Sequence, residues 1–241
     1  MTNGDNRLPE ETLEVLVRSF FHESSRYGFS QIDYIRFVNM LLDFSMKTKS
    51  QSDSTTDANQ TAKFKEKIFL QLPITGEKIK IRKYNSERDN SLMGQWLVDD
   101  YGRQFLLSRT TAQVIDLNRI TKDDRNIFGI VTTLADVPIG CVAYLGYNVD
   151  QRKAELRKMI GEPSMRRKGF AKEAAQLWIN YGVAALKIKK IFLSTLNTDI
   201  RNIRLNESLG FKVEGILRNE ICLNGTYQDV LRMGYWNEDE G

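Results

Sequence analysis

The stretch EPSMRRKGFAKEAA (residues 162–175) sets three cations, Arg166, Arg167 and Lys168, directly in front of Gly169, Phe170 and Ala171. An alanine-rich run with helical apolar spacing follows. The N-terminal end of a helix carries partial positive charge and favours anions, so cations crowded there destabilise it unless something negative sits on them. A first turn containing Gly169 and Ala171 leaves backbone N–H groups uncovered by bulky side chains. Unpaired donors aligned with the positive dipole end bind phosphate, and arginine adds bidentate contacts to phosphate oxygens. The stretch reads as an anion site at a loop-to-helix junction, against the simpler alternative of a solvated basic patch before a surface helix.

The elements around this junction alternate between strand and helix. Upstream, EKIKIRKYN (77–85) alternates like a strand, and SERDNSLMGQWLVDDYG (86–102) reads as helix around Leu92, Trp96 and Leu97. Residues 126–161 read as a three-stranded meander, with turns at Ala135-Asp136-Val137-Pro138 and Asn148-Val149-Asp150-Gln151. The helix from about 169 to 186 carries Phe170, Ala174, Leu177, Trp178, Tyr181 and Ala185 on one face. KKIFLSTLN (189–197) has the composition of a buried strand, and DIRNIRLNESLGF is a short helix ending at Gly210, a good C′ residue. Two strands around Asn224-Gly225 close the chain as a hairpin. A meander feeding a βαβ unit predicts an α/β fold with a mixed sheet and helices on both faces.

The N-terminal quarter differs. Leu13, Leu16, Val17 and Phe20 recur at helical spacing. A second helix opens at Ser30, where Ser30 and Asp33 form a capping-box pattern and Phe29 can staple onto Tyr34. Ile32, Ile35, Val38 and Leu42 give that helix a wide apolar face. SQSDSTTDANQT (50–61) is polar apart from Ala58 and reads as a linker. The expected organisation is a helical extension over 1–62, which is short for an independent domain, and a second domain over 63–241.

Composition narrows the chemistry. The chain has 241 residues, 41% hydrophobic and 27% charged, and 35 basic against 31 acidic residues, too balanced for a general nucleic-acid binder. No apolar run approaches a membrane span, and MTNGDNRLPE lacks the form of a signal peptide. Cys141 and Cys222 are not spaced for metal, so a reduced, cytoplasmic protein without structural zinc is expected. The sole histidine, His22, lies in the extension. A histidine-based triad or multi-histidine metal site is thereby nearly excluded, and a general base has to be a carboxylate, a tyrosine or water.

Arg166-Arg167-Lys168-Gly169-Phe170-Ala171, following the strand AELRKMIG (154–161), resembles the Arg/Gln-x-x-Gly-x-Gly/Ala signature of the GNAT superfamily of N-acyltransferases. NIRLNESLGF matches that family's downstream helix, and EGILRNEICLNGTYQDVLRMGYW its closing strands. The resemblance spans about residues 77–236. It implies a GNAT fold: a mixed, mostly antiparallel sheet splayed between the family's fourth and fifth strands, here AELRKMIG and KKIFLSTLN, with an N-terminal helical extension added. It implies acetyl-CoA or a longer acyl-CoA as co-substrate, and no metal. By position, Met159 and Ile160 would meet the pantetheine through their backbones, residues 166–171 would hold the pyrophosphate, and Asn197, Asp199 or Asn202 would contact the cofactor's other side. Asp199 and Asn202 have the alternative role of capping the following helix.

Catalysis on this reading needs a base and an acid. Glu155 is the candidate base, since strand alternation sets Glu155, Arg157 and Met159 on one face; the alternative is a surface pair with Arg157. The family's usual acid, a tyrosine before Leu-Gly-Phe, is replaced here by Asn206, which has no proton to give. Tyr144, Tyr147 and Arg157, with Tyr227 and Asp229 of the hairpin, are candidates for the acceptor side, although strand aromatics usually pack. Trp178 and Cys141 read as core. The extension and the 196–221 segment are also similar to bacterial sugar N-acyltransferases, which implies a nucleotide-linked aminosugar acceptor. The alternatives are a protein N-terminus, another small amine, or a CoA-binding sensor without activity. A homodimer follows if the extension leaves an apolar face uncovered.

Overall fold

A computed structural model describes residues 10–49, 71–112, 115–196 and 200–237. The linker stretch 50–61, Asn197 and Asp199 lie outside the described residues. The chain forms two compact units, 1–55 and 56–241.

The first unit is a helical hairpin, α1 (Glu10–Arg26) and α2 (Gln31–Lys49). The Asp33 half of the expected capping box is present: Ser30 donates through both its backbone N–H and its hydroxyl to Asp33 Oδ2, at 2.8 Å each. The staple is present too, with the Phe29 and Tyr34 rings 5.7 Å apart. Phe20 stacks on Phe37 at 4.3 Å, and Phe21 on Tyr34 at 5.3 Å. Aromatic contacts thus join the two helices, at about 0.5–1.5 kcal/mol per pair beyond area burial. Leu13, Leu16 and Val17, the stripe expected to pack, are exposed, whereas Ile32 is buried.

The second unit is built on eight strands: β1 (Ile74–Thr75), β2 (Ile79–Lys83), β3 (Ile127–Thr133), β4 (Pro138–Asn148), β5 (Lys153–Met159), β6 (Lys190–Leu196), β7 (Lys212–Leu223) and β8 (Thr226–Trp236). Their order is β1-β2-β3-β4-β5-β6-β8-β7, and among the described residues only β5 and β6 pair in parallel. The meander turns fall where expected, with Asp136 and Arg152 at positive φ. Asn224 (φ 51°) and Gly225 (φ 78°) form the closing hairpin turn, a pair of left-handed residues whose twist matches that of the strands.

Helices cover both faces of the sheet. On one lies α6 (Phe170–Ala184), whose Trp178 is fully buried and stacked on Tyr144 at 5.5 Å. On the other lie α3 (Ser86–Trp96), α4 (Asp100–Arg103) and a 3-10 turn at Gln104–Leu106. There Met93, Trp96, Phe105 and Leu106 pack with Phe128, Ile130, Cys141, Ala143, Leu145 and Met159. Two further short helices lie among its described residues, α5 (Leu117–Thr121) and α7 (Ile200–Glu207).

One ion pair anchors α3 to the sheet. Buried Asp89 accepts from Arg82 Nη1 and Nη2, at 2.8 Å each, and from the Asn85 amide at 2.8 Å. Desolvation pushes this carboxyl upward, but the hydrogen bonds of Arg82 and Asn85 and the charges of Arg82 and Arg88 outweigh it and hold it below its ordinary value. A depressed carboxyl contributes stability above its unfolded pKa, and that stability is lost as pH falls through the folded value. Asp89→Asn, which strands a buried partner, should cost about 3 kcal/mol at neutral pH. In urea melts its deficit against the unsubstituted protein should shrink below about pH 4. A deficit independent of pH would show that the carboxylate charge is not what stabilises α3.

Candidate active site

The sheet opens between its two parallel strands. β5 and β6 pair only at Lys153–Lys190, Ala154–Ile191 and Glu155–Phe192. Both strands continue beyond that point, β5 to Met159 and β6 to Leu196, still paired to β4 and β8 on their outer sides. The inner edges of 156–159 and 193–196 therefore face each other across a split, where an extended ligand can use main-chain groups that a continuous sheet would consume.

Side chains hold the split in shape. Arg157 is buried, and its Nε donates to the Phe105 carbonyl at 2.7 Å, its Nη1 to the Ser194 carbonyl at 2.5 Å and its Nη2 to the Gln104 carbonyl. Burial draws the pKa of this guanidinium down, against the opposing charge of Glu155. On the other face of β5, Lys158 Nζ donates to Asn206 Oδ1 on α7, so adjacent residues span the split on opposite faces of the sheet. Asn202 ties the same helix to β6 through a 3.0 Å bond from its Nδ2 to Thr195 Oγ1.

Glu155 stands where the strands part. The residue is 3% exposed: Oε2 accepts from Ser108 Oγ at 2.8 Å, and Oε1 lies 3.5 Å from Arg157 Nη1 without a hydrogen bond. A cleft of about 460 Å³ opens over it, lined among others by Ser108, Arg109, Phe192, Ser194, Glu220 and Arg232. A buried carboxylate oxygen lacking a donor costs on the order of 1–3 kcal/mol or more. A site that places one beneath a cleft is suited to receive an N–H from a ligand.

The basic loop leaves the far end of β5. Here the three cations separate in role. Arg166 is folded back: its Nε and Nη2 donate to the Ile160 and Gly161 carbonyls at 3.0 Å each, and its Nη1 to Asp99 Oδ2 at 2.9 Å. Its guanidinium also lies 4.2 Å from the Tyr101 ring centre. Arg166 therefore shapes the loop, which corrects its expected use as a free phosphate clamp. Arg167 and Lys168 are exposed, and Arg167 (φ 65°) and Gly169 (φ 87°) both take the left-handed conformation. Gly169 is the N-cap of α6 and makes no side-chain cap bond, so the first-turn amides at Phe170 and Ala171 point out of the helix end unspent.

Of the remaining expected residues, Met159 and Ile160 are buried at the start of the loop. The Ile160 carbonyl is used by Arg166. Asn206 is wholly buried, and its Nδ2 donates to Met233 Sδ at 3.8 Å. Two expectations for the acceptor side are corrected. Tyr144 belongs to the α6 core, with its hydroxyl donating to the Trp178 carbonyl at 2.7 Å. Arg157 is consumed by the carbonyls it bridges. Tyr147 donates to the Leu186 carbonyl at 2.6 Å, and neither it nor Tyr227 nor Asp229 lines the cleft over Glu155. Ser108, Arg109, Glu220 and Arg232 do line it. They come from three separate stretches of chain, Ser108-Arg109, β7 and β8, and no local pattern marks them. Cys141 is buried, and burial pushes its thiol pKa up, as suits a core residue.

Among the described residues, no group of three or more His, Cys, Asp or Glu side chains is placed to hold a metal. None of the helices there is long and apolar enough to cross a membrane.

The chain matches the family model described as an acetyltransferase (GNAT) domain over residues 78–212, more than half of its length. It is 35% identical to the Escherichia coli spermidine N(1)-acetyltransferase over 94 residues, which cover 39% of this chain and 50% of that protein. It is 36% identical to the Vibrio cholerae spermidine N(1)-acetyltransferase over 95 residues, covering 39% and 54%. It thus spans about half the length of these curated relatives. Among solved structures, Vibrio cholerae spermidine N-acetyltransferase in complex with CoA and spermine superimposes with a TM-score of 0.57 at 24% identity, covering 66% of this chain and 95% of that one. A point mutant of the Vibrio cholerae enzyme gives 0.56 at 26% identity, covering 65% and 94%.

The loop geometry makes a separable prediction. Reversing charge at Arg167 and Lys168 together should weaken CoA binding about tenfold, or 1.4 kcal/mol, with the melting temperature unchanged. Arg166→Glu should weaken binding and also lower the melting temperature, because it breaks the bonds to Ile160, Gly161 and Asp99. Calorimetric titration with CoA, beside thermal melts, checks both. Unchanged affinity in the Arg167/Lys168 variant would remove the loop from the cofactor site.

Proposed function

Because the chain belongs to the GNAT acetyltransferase family, we propose that it transfers an acyl group, acetyl in the first instance, from CoA to the primary amine of a small molecule. The observation that carries this reading is Glu155: a buried carboxylate with an unsatisfied oxygen, set at the fork of the split strands and beneath a cleft. The helix end at Gly169 and the exposed Arg167 and Lys168 suit a diphosphate. The free edge of β5 suits the amide-bearing pantetheine arm that joins the diphosphate to the thioester.

Each residue then has a task. Ser108 holds one oxygen of Glu155, and the other, which pairs with Arg157 in charge but accepts no hydrogen bond, is left for the incoming amine. An amine must lose its proton to attack, and Glu155 accepts it, directly or through a water. Holding amine and thioester together supplies much of the acceleration. Main-chain amides on the β6 side of β5, which β4 does not use, would polarise the thioester carbonyl as charge develops on its oxygen. Arg157 keeps the strands at a fixed separation and stays out of the chemistry.

Relatives named for spermidine favour a small polyamine as acceptor over a nucleotide-linked aminosugar. A second reading has one observation behind it: Arg109 and Arg232 line the same cleft as Glu155 and Glu220. That mixture of signs suits an amine that also carries an anionic group, as a nucleotide-linked aminosugar does. Thiol release should be followed with acetyl-CoA and a panel of spermidine, spermine, N-terminal peptides and nucleotide-linked aminosugars. Turnover of the polyamines is expected. Turnover confined to anionic amines would replace the polyamine by the second reading, and firm CoA binding with no turnover would leave a CoA sensor.

Glu155→Gln preserves shape and removes the base. Its kcat/KM should fall roughly 10²–10⁴-fold at neutral pH, and the deficit should narrow as rising pH deprotonates the free amine. A pH–rate profile parallel to that of the unsubstituted enzyme would exclude Glu155 as the base.

A further inference from the structure

The reaction proposed above releases a thiolate as well as a proton, and Glu155 accounts only for the proton lost by the amine. The split holds a second group of complementary character. Lys158 lies three residues beyond Glu155 on β5, within the segment that has no β6 partner, and it projects to the opposite face. Its Nζ donates to Oδ1 of Asn206. Asn206 is itself locked: its Nδ2 is turned to Met233 Sδ, and its backbone carbonyl accepts from the Leu209 and Phe211 amides at 3.0 and 3.1 Å. A wholly buried amide thus presents its oxygen to a lysine ammonium at the rim of the split.

We propose that Lys158 is the acid of this enzyme, positioned by Asn206 and donating a proton to the departing CoA sulfur. The proposal rests on the N-acyltransferase reading of the split. Three residues of strand separate Glu155 from Lys158 by about 10 Å, and the two approach from opposite faces. A thioester lying in the split is then met by the carboxylate on the amine side and by the ammonium on the leaving-group side. The amine nitrogen bonds to the thioester carbon, and the carbon–sulfur bond breaks with its electron pair on sulfur. A proton passes from Lys158 Nζ to sulfur, giving the neutral thiol, while the amine's proton goes to Glu155. Exchange with solvent restores both groups, and no oxidant or reductant enters. An ammonium carries three donors, so it can hold the Asn206 oxygen and still face the sulfur. An amide in the place of Asn206 cannot donate the proton, but it can aim a group that does.

The other charged groups on the elements meeting here are Arg201, Arg204 and Glu207 of α7, with Lys153, Glu155 and Arg157 of β5. Burial pushes Glu207 above its ordinary value. None of them spans from β5 to Asn206 as Lys158 does.

The test titrates the thiol of bound CoA by the ultraviolet absorbance of its thiolate, in the unsubstituted protein, Lys158→Met and Lys158→Arg, beside kcat and KM for acetyl-CoA. A nearby cation favours the thiolate. The thiol midpoint should therefore rise by about one pH unit in Lys158→Met, a tenfold change in acid constant, and stay low in Lys158→Arg. Arginine keeps the charge but does not release a proton. Both variants should accordingly lose kcat roughly tenfold or more, with KM little changed. A midpoint unmoved in Lys158→Met overturns the proposal, and so does full kcat in Lys158→Arg, which would reduce the role to charge alone. If Lys158→Met misfolds, the arginine variant decides by its kcat. An unsubstituted protein that binds CoA and acetylates nothing removes the acyltransferase reading and the acid together. Activity in that protein with unaffected variants removes only Lys158.

Discussion

Arg157 resolves the central conflict of this structure. Parting two parallel strands in mid-sheet leaves inward-facing carbonyls without partners, and a buried polar group without a partner costs more than most single interactions return. One guanidinium, fixed on β5, reaches across the gap to the Ser194 carbonyl of β6 and back to the carbonyls of Phe105 and Gln104. It joins three pieces of chain that the ladder does not. Its charge is balanced by Glu155 at 3.5 Å, so the group that keeps the sheet open also faces the buried carboxylate beneath the cleft.

The site follows from that opening. A closed β5–β6 ladder would bury the edge of 156–159 and leave no room above Glu155. Opened, it places a carboxylate on one face of β5 and an ammonium on the other, with a helix end at the far side of the loop. Arg166 contributes by bending the loop back onto its own strand and onto Asp99, so that Gly169 caps α6 with its amides outward. The cation nearest the strand is spent on structure, and the two beyond it on solvent or a ligand. Gly161 belongs to the same device: a Cβ there would lie 2.1 Å from the Trp96 ring, so only glycine lets the strand end pass against α3.

Much of this was legible before any coordinates. The strand-and-helix order, the turns at Asp136 and Asn224-Gly225, the capping box at Ser30 and Asp33, and the helix stop at Gly210 are local matters of backbone conformation and short-range hydrogen bonding. Each needs only a few consecutive residues. Tyr144 and the stripe of α1 were harder, because burial depends on what another element brings. Tyr144 has the composition of a pocket residue and meets Trp178 instead. Leu13, Leu16 and Val17 have helical spacing and remain exposed.

By itself the sequence determined an α/β chain, a phosphate-suited junction at 166–171, the register that sets Glu155, Arg157 and Met159 on one face, and the absence of a tyrosine at position 206. Those are properties of adjacent residues and of periodicity. Only the tertiary structure decided that Arg166 supports the loop, that Arg157 is a brace, that Ser108 and Arg232 belong to the cleft, and that Lys158 meets Asn206. Each of these joins residues 37 to 67 positions apart or more, between elements that meet only once the sheet has formed. Hydrogen bonding at that range depends on where whole strands come to rest, and no local pattern encodes it.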